Sequence, residues 1–115
     1  MFDFQKLEVY KKSRVFNNEV NLLIEKSTFN RTVRDQLFRA SLSIMLNIAE
    51  GTSRYSRKDK KNFYVVSRGS VFECAAIFEH LVDAGRIDDR TVKQFIDQLE
   101  ELSKMLYSLI RKLEE

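Results

Sequence analysis

The sequence predicts an all-α fold, an antiparallel up-down-up-down four-helix bundle. Three observations carry this expectation. The 115 residues contain no proline and only three glycines, so little interrupts a helix and little supports the turns of a β architecture. Apolar side chains recur every three or four residues in four successive segments. The breaks between segments are a few residues long, which sets consecutive helices side by side. With 43% hydrophobic residues and no linker or low-complexity tract, residues 1–115 read as a single domain with its own core.

The first helix is expected from about Gln5 to Lys26, with Leu7, Tyr10, Phe16, Val20, Leu23 and Ile24 inward. Ser27-Thr28-Phe29-Asn30 breaks it. Asn30 then serves as N-cap for a second helix reaching about Gly51, with Val33, Leu37, Ala40, Ile44 and Ile48 inward. The chain turns over Thr52 to Arg57. Ser56 caps the third helix, where Asp59 favours the positive end of the helix dipole. That helix continues through Phe63, Val66, Ser70, Ile77 and Leu81 until Gly85 stops it, because glycine accepts positive φ without steric penalty. The fourth begins near Asp88 or Asp89 and runs to the end on Val92, Phe95, Ile96, Leu99, Leu102, Leu106, Leu109, Ile110 and Leu113.

Net charge is only +3, yet it is unevenly spread: +2 over residues 1–53, +3 over 54–87 and −2 over 88–115. Arg54, Arg57, Lys58, Lys60 and Lys61 fall within eight residues, opposed only by Asp59, with Tyr55 among them. This is the one basic cluster. No apolar run approaches the roughly 20 residues needed to span a bilayer, and Met1-Phe2-Asp3-Phe4 opens neither a signal nor a transit peptide. A cytoplasmic protein with no membrane partner is the expectation. Cys74, the sole cysteine, has no disulfide partner and sits in an apolar stretch that suits a small buried side chain.

Beside the apolar stripe of the second helix runs a polar one: Gln36, Arg39, Ser43, Asn47 and Glu50. Polar groups bordering a core must find partners, since leaving one unsatisfied costs roughly 1 to 3 kcal/mol. The expected solution is a network of Arg39, Ser43, Asn47, Glu50, Ser70 and Glu73 that sets helix register or joins subunits, with Arg39 or Arg68 compensating the carboxylates. Loss of Glu50 or Glu73 is then expected to cost roughly 3 to 5 kcal/mol, the usual consequence of breaking a buried charge pair. Gly69, a mid-helix glycine costing about 1 kcal/mol against alanine, is expected to let the second and third helices approach closely.

The run Gln36-Leu37-Phe38-Arg39-Ala40, Ser43-Ile44, Asn47-Ile48-Ala49-Glu50-Gly51, then Arg54, Ser56, Phe63, Arg68-Gly69-Ser70 and Glu73 resembles a bacterial four-helix-bundle family. Its members were first noticed as proteins encoded within intervening sequences of large-subunit ribosomal RNA genes. The similarity extends from Phe4-Gln5-Lys6-Leu7-Glu8-Val9-Tyr10 to Lys104-Met105-Leu106 and Leu109-Ile110. Phe38 stands where the family often has a second arginine, Asn30 where proline is common, and Cys74 where leucine is usual. The resemblance implies a ring-like homopentamer. It also points to a related branch, the accessory proteins of diversity-generating retroelements, in which such a barrel accompanies a reverse transcriptase and binds nucleic acid through a basic surface. It implies no reaction, and a location inside an rRNA gene does not make the product an RNA binder.

An enzyme is the class least supported. His80 is the only histidine, no Glu-x-x-His pair exists for a di-metal site, and no phosphate loop, Cys-x-x-Cys pair or dinucleotide fingerprint occurs. No catalytic residue, metal or cofactor is expected. The leading reading is nucleic-acid binding, RNA or DNA, through Arg54, Arg57, Lys58, Lys60 and Lys61, with Tyr55 stacking on an exposed base; the same cluster also reads as a solvated helix start. The alternative is an oligomeric scaffold docking a partner protein. Apolar residues beyond the inward stripes, Phe2, Phe4, Val9, Val15 and Tyr107, are expected to seal subunit interfaces.

Overall fold

The structure, a computed structural model, describes residues 1–115. A short 3-10 turn, Asp3–Lys6, precedes α1 (Glu8–Lys26), α2 (Arg31–Thr52), α3 (Arg57–Asp83) and α4 (Asp89–Glu114). At about 1.5 Å per residue, the 27 residues of α3 run nearly the full 44 Å length of the molecule. α3 packs between α2 and α4, and α1 closes the bundle against α2 and, more lightly, α4. Eighteen buried apolar residues make one continuous core.

Local chemistry sets the helix ends. Asn30, Ser56 and Asp88 each adopt extended backbone and accept, through the side chain, the N–H of Val33 (2.9 Å), Asp59 (3.1 Å) and Thr91 (2.7 Å). Gly85 has φ +68°. Around it Arg86 N–H donates to Leu81 O at 2.9 Å and Gly85 N–H to Val82 O at 3.0 Å, the two bonds of a Schellman ending. Phe29, in the α1–α2 connection, is buried against the core.

The expected first helix starts three residues late. Phe2 N–H donates to Gln5 Oε1 at 2.7 Å, closing the 3-10 turn, and Leu7 is extended (ψ 130°). The turn lies against α2 as well as α1, and Phe4 meets Tyr10 edge to face at 4.8 Å.

The inward face of α3 also differs from expectation. Ser70, Ile77 and Leu81 are buried as expected, together with Tyr64, Ser67, Val71, Cys74 and Phe78, whereas Phe63 is half-buried and Val66 is exposed. The buried face carries the apolar stripe Tyr64, Val71, Cys74, Phe78 and Leu81, and the serine that interrupts it is satisfied in the core: Ser67 Oγ donates to Ile44 O at 2.7 Å, an α2 carbonyl. Val66 has Asp59, Asn62, Gly69 and Glu73 among its neighbours at helical spacing, so the face that carries it is the less apolar one and stays outside.

The close approach of α2 and α3 occurs at Gly51. A Cβ there would lie 2.9 Å from Phe63 Cβ and 3.0 Å from the Tyr64 ring, whereas one at Gly69 would meet nothing within 4 Å. Gly69 is exposed on the outer side of α3. The expectation placed on it belongs to Gly51. Val9, expected at a subunit interface, is in the core.

Candidate nucleic-acid interface

The α2–α3 connection and first turns of α3 bring the basic cluster to the end of the bundle where α4 also finishes. Arg57 Nη1 donates to Lys112 O (3.3 Å) and Glu115 O (3.2 Å), carbonyls at the negative end of the α4 dipole. One turn on, Lys61 Nζ pairs with Glu114 Oε2 at 3.1 Å. Lys60 faces the other way and donates to Thr52 O at 2.9 Å, where α2 ends. Arg54 pairs with Glu50, one helical turn back, and its guanidinium lies 4.6 Å from the Phe63 ring centroid. Lys58 makes no ion pair or hydrogen bond, and Tyr55 is fully exposed.

Four of the five cations are therefore engaged within the chain. Two of these contacts, Arg54 with Glu50 and Lys61 with Glu114, are exposed ion pairs, a type worth about 0 to 1 kcal/mol, whereas Arg57 and Lys60 donate to backbone carbonyls at helix ends. Beside the cluster opens a concavity of about 1040 Å³ between the N-terminal turn, α2 and the start of α3. Phe2, Phe4, Tyr55 and Phe63 line it with Arg54 and Lys60. Sequence reasoning missed Phe2 and Phe4 as members, because they lie 50 or more residues before the cluster.

The expected polar network is smaller and neutral. Ser43 Oγ and Ser70 Oγ lie 2.8 Å apart, and Asn47 Nδ2 donates to Ser43 O (2.9 Å) and Ser43 Oγ (3.0 Å). Arg39 and Glu73 do not join it: both are exposed, on the outer sides of α2 and α3. Glu50 turns to Arg54. Arg68 donates Nε–H to Ser103 O at 3.2 Å and lies over the Phe72 and Tyr107 rings at 5.0 and 5.4 Å. Every buried polar side chain is neutral: Ser13, Asn17, Ser41, Ser67 and Ser70. No buried charge pair forms within the chain, so the cost expected for losing Glu50 or Glu73 does not arise inside it.

Three polar contacts between helices were not foreseen. Thr52 Oγ1 and Tyr64 OH are 2.9 Å apart, Ser67 bonds Ile44 O as described, and Ser41 Oγ donates to Asn17 Oδ1 at 2.9 Å across α1 and α2. The sequence signal for the last was a polar residue interrupting each apolar stripe.

Large apolar side chains also remain exposed along α2 and α3, among them Phe38, Leu46, Val65, Val66 and Phe72, together with Phe2, Val15 and Tyr107. Val65, Gly69, Phe72, Tyr107 and Ile110 line a groove of about 440 Å³ between α3 and α4. No group of three or more His, Cys, Asp or Glu could hold a metal ion, and no helix is long and apolar enough to cross a membrane.

Residues 5–108 match the family described as 23S rRNA-intervening sequence protein. The fold is similar to the crystal structure of a protein of unknown function from the S23 ribosomal protein family of Bacteroides thetaiotaomicron VPI-5482. The TM-score is 0.85 and identity 24%, over 89% of this chain and 97% of that one; at that identity the likeness concerns fold alone. No curated protein matches the chain.

Proposed function

This chain belongs to the 23S rRNA-intervening sequence protein family, and from that premise we propose that it is a non-enzymatic, self-associating bundle that binds nucleic acid through Arg54–Lys61. The observation that carries the reading is the gathering of five cations at one end of the bundle, with Lys58 unpaired and Tyr55 fully exposed. Phosphates bound there would release counterions and make affinity fall steeply with salt. A cytoplasmic location goes with this reading.

The proposed subunit is an antiparallel up-down-up-down bundle. Its support is the pairing of Thr52 with Tyr64 and of Ser43 with Ser70, in which rising numbers on α2 meet falling numbers on α3. Lys12 with Glu101 and Glu19 with Gln98 run the same way between α1 and α4. The proposed assembly is a homopentameric ring. Exposed apolar side chains on α2 and α3 favour burial against another subunit, and a ring would repeat the basic end around its axis. Light scattering behind a sizing column tests this: the mass of one subunit at micromolar concentration would exclude the ring.

The test of binding is a salt titration of parent and of a Lys58→Gln, Lys60→Gln, Lys61→Gln variant. The log-affinity slope should flatten by roughly one unit for each phosphate that is no longer neutralised. Unchanged affinity and slope would overturn the reading. The second reading, an oligomeric scaffold that docks a partner protein without touching nucleic acid, would then stand on the groove at Phe72 and Tyr107.

A further inference from the structure

We infer that the concavity beside the basic loop takes unpaired nucleobases, so that the nucleic acid bound is single-stranded. This rests on the nucleic-acid reading above and names its substrate class. At about 1040 Å³ the concavity matches or exceeds the roughly 300 to 1,000 Å³ of ordinary small-ligand clefts, so it has room for more than one base.

Its walls carry the two components that single-strand binding needs, ring faces for bases and cations for the backbone. Phe2 stacks on Phe4 at 5.8 Å with the planes 8° apart, and Phe4 is held edge to face by Tyr10. The outermost ring, Phe2, is 72% exposed, so one face of an already ordered stack is open to a base. Across the concavity stand Tyr55 and the Phe63 ring with Arg54 over it. A paired base in a duplex already has both faces covered by its neighbours, so a duplex could use the cations but not the rings. An unpaired strand uses both.

The polar groups fit the same orientation. Asn47 uses Nδ2 within the chain, and its Oδ1 takes no hydrogen bond there, which leaves an acceptor for a base edge. Glu50, one of the two carboxylates lining the concavity, is compensated by Arg54. Asp3, on the N-terminal side, forms no ion pair and would repel phosphate, which directs the backbone toward Lys58 and Lys60 and the bases toward the rings.

The experiment is an anisotropy titration with a labelled oligothymidylate of roughly twelve nucleotides, a length within the span of one binding module, against a duplex of equal phosphate number at matched salt. The single strand should bind at least about tenfold more tightly. Phe2→Ala and Tyr55→Ala should each lower that affinity about tenfold while leaving duplex affinity, salt slope and assembly mass unchanged. Both side chains are exposed, so helicity by circular dichroism should be that of the parent. Equal affinity for strand and duplex, with both variants neutral, would overturn this inference while leaving the phosphate-binding reading standing. Binding of neither probe would overturn both. A changed mass in the Phe2→Ala or Tyr55→Ala variant would assign the rings to a subunit interface and likewise overturn the inference.

Discussion

Gly51 lies directly against Phe63: a Cβ on Gly51 would come within 2.9 Å of Phe63 Cβ and 3.0 Å of the neighbouring Tyr64 ring. Backbone and Cβ cannot yield as a flexible side-chain tip can, so α2 and α3 must separate to admit a methyl group. Gly51→Ala should therefore destabilise by about 1 to 3 kcal/mol through overpacking, partly offset by the better helix propensity of alanine. Gly69→Ala, with open space around it, should stabilise by up to about 1 kcal/mol. Urea unfolding of the two variants checks both signs; equal effects would contradict the close approach at Gly51.

Ser41→Ala should leave the buried Asn17 Oδ1 without its 2.9 Å donor and cost about 1 to 3 kcal/mol. Replacing both residues with apolar ones of similar shape should cost less than the sum of the single changes. A double-mutant cycle by chemical denaturation measures the coupling.

Glu114→Gln should raise nucleic-acid affinity and steepen its salt dependence, because it frees Lys61 from its 3.1 Å ion pair. The pair is half-exposed, so stability should change by well under about 1 kcal/mol. An unaltered salt slope would mean that Lys61 reaches no phosphate.

Cys74 should resist alkylation in the folded protein and react at once in denaturant. It is fully buried, and burial, with a smaller contribution from the Glu73 charge, pushes its thiol pKa up to about 12, so almost no thiolate exists at neutral pH. Time-resolved labelling with a maleimide, read by mass spectrometry, measures the protection.

Asp88 should make folding weaken in acid. Hydrogen bonds from the Thr91 backbone and side chain, chiefly the backbone one, hold its carboxyl below the ordinary value of 3.8. A lowered native pKa means that the stabilisation is fully present above the unfolded value and is lost as pH falls through the native one. Asp88→Asn retains a capping oxygen but not the titration, so its denaturation midpoint should fall less steeply than the parent's below about pH 4.

Helix ends were legible because capping acts within four residues: Asn30, Ser56, Asp88 and Gly85 perform in the structure the roles their chemistry suggests. The α4 stripe from Phe95 to Leu106 was equally plain, since only one of its faces is apolar. The grouping of Arg54 with Lys61 was visible too, because neighbours in sequence stay neighbours on a turn and the first coils of a helix.

Tertiary packing decided the rest. On α3 Ser67 interrupts an apolar stripe, and its place in the core depends on the carbonyl of Ile44 on another helix, which accepts its hydrogen bond. Two glycines looked alike in sequence, yet the crossing of α2 and α3 requires the small residue at 51 and leaves 69 in open space. The partners of Arg57 and Lys61 lie more than 50 residues away at the end of α4, and Phe2 and Phe63 line one concavity only because the N-terminal turn folds back on α2. Helical periodicity and capping are short-range and write themselves into adjacent residues. Helix register, close approach and charge pairing depend on which surfaces finally meet, and that is fixed by the packing of the whole bundle.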